Sequence, residues 1–93
     1  MEILNLLASI ISKEISISYP AARGLLKLSI IDGFGPFKPL KEMRFSDMVS
    51  VVKESLKNRL IELNVQDYKK LMLILTNELK NNQSLFTGFS PAL

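Results

Sequence analysis

Apolar and polar positions recur with a helical period in four stretches of the chain. In the first, Glu2, Asn5, Ser9, Ser12, Lys13 and Ser16 repeat at spacings of three and four. Ile3, Leu4, Leu7, Ile10, Ile11 and Ile15 fall on the opposite face, so the pattern predicts an amphipathic helix. β-Branched residues over Ile15–Ser18 predict fraying at its end. A second helix is predicted from Tyr19-Pro20, with Ser18 or Tyr19 as N-cap and Pro20 in the first turn, where a missing N–H is harmless. Leu25, Leu26, Leu28, Ile30 and Ile31 follow, and only Arg23, Lys27 and Asp32 are charged. A helix apolar nearly all round is buried in the middle of a bundle or covered by a partner. Gly24 lies in its interior, at a cost of about 1 kcal/mol relative to Ala, and predicts a close helix–helix approach. Gly33-Phe34-Gly35-Pro36-Phe37-Lys38-Pro39 then breaks the pattern: Gly33 is expected to end the helix and the prolines to stiffen the loop.

Ser46 is the expected N-cap of a third helix, with Asp47 favourably placed against its dipole. Its buried stripe reads Phe45, Met48, Val49, Val52, Leu56, Leu60, Leu63, and its wet face Ser50, Lys53, Glu54, Lys57, Asn58. Asn64 with Asp67 resembles a capping box opening a fourth helix, whose stripe is Val65, Tyr68, Leu71, Met72, Leu75 and Leu79. A junction of one residue makes the last two helices antiparallel neighbours or a steep crossing. The expected fold is therefore all-α: a compact bundle of four helices over residues 1–83, with the Gly/Pro-rich loop between the second and third helices. Residues 84–93 form an apolar tail.

Composition sharpens this reading. The chain has 93 residues, 47% of them hydrophobic, and no histidine, cysteine or tryptophan. The usual metal ligands, thiol nucleophiles and neutral-pH proton carriers are thus missing. No phosphate-cradling loop, nucleophile elbow or paired-histidine motif occurs, and the carboxylates form no close pair in sequence. A non-catalytic protein without cofactor or metal is expected. Lack of cysteine excludes disulfides and fits the cytoplasm. Glu2, and the polar residues interrupting Met1–Ile17, argue against a signal peptide or a membrane span. The Ile/Leu/Lys bias suits a thermophile, although six asparagines run against it.

Net charge is +3, from 12 Lys and Arg against 9 Asp and Glu. Lys38, Lys41, Arg44, Lys53, Lys57 and Arg59 crowd the middle of the chain, with Phe34, Phe37 and Phe45 interleaved. Cations beside aromatic rings suit phosphates and unstacked bases; the plainer alternative is a solvated face over core phenylalanines. Lys38, Lys41, Arg44, Lys53 and Lys57 are the candidate nucleic-acid contacts. Gln66, Asp67, Lys69 and Lys70 would open the recognition helix of a helix-turn-helix, but the turn glycine is absent and Asp67 would face phosphate, which favours a bundle hairpin. In the tail, Gln83-Ser84-Leu85-Phe86-Thr87-Gly88-Phe89 resembles the clamp-binding peptides of replication proteins, with Gln83 and Phe89 in matching positions and Phe86 where an aliphatic stands. Alternatively, Leu85, Phe86 and Phe89 cover the core or enter a partner's groove. Candidate protein-binding residues are Gln83, Leu85, Phe86, Phe89, Leu25 and Leu28.

The helical pattern, the Ile/Leu/Lys bias, the basic middle and the tail at Gln83–Phe89 together resemble the small helical accessory subunits of crenarchaeal replicative (family B) DNA polymerases. That resemblance implies a non-catalytic subunit that binds a polymerase or a sliding clamp and tunes synthesis on DNA. Two alternatives stand beside it: a stand-alone basic nucleic-acid binder, and a self-assembling module that dimerises through the second helix. A histone fold is excluded because Gly33, Pro36 and Asn64 cut the chain where its long central helix would run.

Overall fold

Ser16 and Asn64 have left-handed backbones, with φ of 56° and 60°, and these two residues divide the bundle. The computed structural model describes residues 2–86, and all regular structure among them is helical. Helix α1 runs Glu2–Ile15 and α2 Tyr19–Phe34. A third rod is continuous but composite: α3 (Phe45–Ser50), a π-helical turn (Val51–Leu56) and α4 (Lys57–Glu62). Helix α5 runs Tyr68–Asn81. The expected four-helix bundle is thus present. Its radius of gyration, 12.6 Å, is close to the ~12 Å of a single compact domain this long. No helix among the described residues is long and apolar enough to cross a membrane.

The helix ends depart from the expected punctuation. After α1 the chain does not fray. The Ile17 amide donates to the Ser12 carbonyl (3.2 Å), with Ser16 as the left-handed residue between. The Ser12 hydroxyl donates to the Ile17 carbonyl at 2.6 Å, and Ile17 packs on the core. Ser18 does cap α2: the Ala21 amide donates to its Oγ at 3.2 Å. Gly35, not Gly33, ends that helix, at φ 81° and with its amide on the Ile31 carbonyl (2.8 Å). Ser46 lies inside α3 rather than before it. The N-cap is Arg44, whose amide donates to the Asp47 carboxylate at 3.0 Å. Asn64 caps the preceding helix, not the following one. Val65 N–H reaches the Leu60 carbonyl and Asn64 N–H the Ile61 carbonyl, both at 3.0 Å. This is a Schellman closure, and Val65 packs on the core beside buried Leu60. The junction to α5 is therefore five residues long, and Asp67 is the N-cap of α5.

The core gathers Ile3, Leu4, Leu7, Ala8 and Ile11 of α1; Ala22, Leu25, Leu26 and Ile30 of α2; Met43; Met48, Val51, Val52, Leu56 and Leu60 of the third rod; and Leu71, Leu75 and Leu79 of α5. Leu63, expected in the third stripe, is exposed: the rod stops at Glu62, just short of another inward turn. Gly24 faces open space, so the close approach expected there does not exist. The approach is at Gly33, where a Cβ would lie 3.1 Å from Ser55 Oγ, as α2 crosses the π-helical turn.

Candidate interaction surface

Helix α2 turns Ala22, Leu25, Leu26, Ser29 and Ile30 inward. The Ser29 hydroxyl donates to the Leu25 carbonyl at 2.8 Å, so this buried hydroxyl is satisfied, whereas the buried Arg23 Nε on the same helix has no partner among the described residues. A helix this apolar cannot hide all its residues when only one side is covered. Leu28 and Ile31, three apart and on the other side, remain 47% and 42% exposed. Beyond them the chain leaves the helix through Gly35 and Pro36 and presents Phe37, 91% exposed. Scattered exposed leucines are normal on any protein, and Leu73 on α5 is one. An almost bare phenylalanine in a proline-flanked loop, following two exposed aliphatics in the chain, makes this stretch a candidate interaction surface.

A shallow groove of about 240 Å³ lies between the last turns of α2 and this loop. Ile30, Ile31, Pro36 and Leu40 give it an apolar lining, and Lys27 and Lys38 supply its cations. Lys38 is held in place. Its ammonium sits 5.2 Å from the centre of the Phe34 ring and 3.4 Å from Asp47. The same Asp47 oxygen accepts the Arg44 amide, so one carboxylate ties the loop to the start of α3. The loop is thereby organised before any partner arrives, which lowers the entropy cost of docking.

One candidate phosphate contact, Lys38, and a further cation of the basic stretch, Arg59, are engaged inside the molecule. Besides Lys38, Arg59 makes a two-pronged bond to Asp32, at 2.6 and 3.0 Å, across the α2–α4 contact. The hydrogen bond from Arg59 holds the Asp32 carboxyl below its ordinary range, against partial desolvation, and the pairing raises Arg59 in turn. Lys41, Arg44, Lys53 and Lys57 make no ion pair among the described residues. Lys41, Arg44 and Lys53 are exposed and Lys57 is half-buried, and Glu42 and Glu54 stand among them in the chain.

The candidate protein-binding residues divide in the same way. Leu25 is 8% exposed and belongs to the core, which corrects the expectation that it faces a partner. Phe86 is corrected likewise. It is 4% exposed and meets Phe45 edge-to-face, with centroids 5.8 Å apart and planes at 81°. Gln83 and Leu85 form a short 3₁₀ turn that delivers Phe86 to that site, so the bundle extends past residue 83. Leu28 is available, and Leu85 partly so. Phe89 lies outside the described residues. Phe45 is in the core and Phe34 lies under Lys38, leaving Phe37 as the bare ring of the three. Ile31 and Phe37, both exposed, are not among the candidate protein-binding residues read from the sequence. The available signals were the helical offset between Leu25 and Leu28, and a phenylalanine set between two prolines. No family model, no curated protein and no solved structure matches the chain.

Proposed function

We propose that the protein is a non-catalytic adaptor that docks on a protein partner in a DNA-processing complex. Docking runs through the outer side of α2 and the Gly/Pro loop. The observation that carries this reading is the exposure of Leu28 and Ile31 on the outer side of α2 and of Phe37 in the loop that follows it. Burying such anchors is where binding energy concentrates, and large apolar side chains left in water contribute nothing to the chain's own stability. The link to DNA processing rests on the character shared with the polymerase accessory subunits and on the exposed cations Lys41, Arg44 and Lys53, with half-buried Lys57. The test is affinity purification of the tagged protein from its own cell, in parallel with a Leu28→Asp/Ile31→Asp variant. A defined partner that co-elutes with the native chain and is lost with the variant supports the reading. Equal recovery by both variants, or no partner under gentle conditions, contradicts it.

One observation favours a second reading, a direct nucleic-acid binder. Phe37 is bare and lies near Lys41 and Arg44 in sequence, as a base-stacking ring beside phosphate contacts would. Three or four phosphate contacts give a log–log salt slope of about −3, and charge reversal of Lys53 and Lys57 then weakens all sequences alike. Docking that rests chiefly on apolar side chains gives a shallower slope.

A further inference from the structure

We infer that the groove at the end of α2 takes an acidic segment of the partner: one large apolar side chain flanked by carboxylates. This rests on the docking role above and gives the partner a chemistry. The apolar lining comes from Ile30, Ile31, Pro36 and Leu40, and both charged residues that line the groove are lysines. No carboxylate among the described residues lines it. Lys27 makes no ion pair among the described residues. Lys38 is fixed against Phe34 and keeps one exposed side, although Asp47 already offsets part of its charge. A basic segment would therefore be repelled while its apolar anchor was being desolvated, and an acidic one would be drawn in. At about 240 Å³ the space suits a single side chain rather than a broad face. Nucleic acid fits less well. Phosphates would answer the lysines, but the groove's lining is aliphatic: Phe37 is not part of it, and the Phe34 ring is covered by Lys38. Gly35, at φ 81°, and Pro36 fix the wall, so the groove exists before the ligand arrives.

The experiment is selection from a random dodecapeptide phage library on the full-length protein at low salt, counter-selected on Ile31→Asp. Circular dichroism first establishes that the variant is folded. Enriched peptides should carry Leu, Ile, Phe or Met with Asp or Glu within a helical turn. Their affinity should fall at least about tenfold with Lys27→Glu and should fall with added salt. Selection repeated on Lys27→Glu should lose the acidic preference. Enrichment of neutral or basic peptides, failure to enrich at all, or equal binding to Lys27→Glu overturns the inference. So does oligo-dT binding that Ile31→Asp abolishes while no peptide binds. The two levels separate with the native partner. If Leu28→Asp/Ile31→Asp removes it while Lys27→Glu leaves its affinity unchanged, docking stands and the acidic chemistry is wrong.

Discussion

Three glycines in and beside α2 hold different physical positions, and substitution separates them. Gly24 faces open space, so Gly24→Ala should recover the helix propensity that glycine forfeits, about 1 kcal/mol, and raise the melting temperature by several degrees. Gly33→Ala should gain little, because its Cβ would press on Ser55 Oγ at 3.1 Å. Combined with Ser55→Ala, which removes that oxygen, the gain should reappear as a coupling in a double-mutant cycle. A Gly33→Ala gain equal to that of Gly24→Ala would show that the two helices do not meet there. Gly35 alone has a backbone that side chains resist, and alanine there should cost 1 kcal/mol or more, about the strain of an unusual backbone region. The Asp32–Arg59 pair supplies a pH prediction at the same scale. Arg59 depresses the Asp32 pKa in the folded state. The resulting stability is therefore present above the unfolded-state value, about 3.9, and is lost as pH falls through the lower folded one. Arg59→Gln should raise the Asp32 carboxyl pKa toward its ordinary value in a ¹³C NMR titration. No movement would mean the pair does not persist in solution.

At the scale of elements, the end of the chain's described part is structural. Phe86 is buried against Phe45, so Phe86→Ala should destabilise the fold by about 3 kcal/mol in urea denaturation followed by circular dichroism. A cost below about 1 kcal/mol, the range of surface substitutions, would return Phe86 to the surface. The existence and order of the helices were legible in the sequence, because stripes such as Leu71, Leu75 and Leu79 keep a strict helical period. Their punctuation was less legible. Asn64 suits a cap at either end of a helix, and which one it serves depends on Val65 packing beside Leu60, a tertiary contact. Ser46 is a good N-cap by type, but Asp47 gives Arg44 a bond that starts the helix two residues earlier. The π-helical turn at Val51–Leu56 brings both Val51 and Val52 inward, where the regular period had placed Val52 alone. For the site, the apolar excess of α2 was legible. Which leucine faced out was not, since Leu25 and Leu28 are equivalent in type and are distinguished only by where α1 and the third rod lie.

At the scale of the whole molecule, stability and docking should come apart. Leu28→Asp/Ile31→Asp changes residues that stand about half in water, so unfolding free energy should move by about 1 kcal/mol or less, while partner affinity drops by tenfold or more. The cost to the fold should be smaller than for Leu25→Ala, where a buried leucine of the same helix is truncated at roughly 2–5 kcal/mol. Similar losses from both would place Leu28 and Ile31 inside the bundle's own energetics and leave no separate surface. The basic residues should act as auxiliaries, with charge reversal of Lys53 and Lys57 changing the rate of association and its salt dependence more than the complex's lifetime. The most direct measurement is hydrogen–deuterium exchange of the chain, alone and in complex with the partner that co-purifies with it. Docking through the end of α2 and the loop predicts slowed exchange over residues 27–40, with α5 unchanged. Protection on α5 or the outer face of the third rod, with residues 27–40 exchanging as in the free chain, would contradict it.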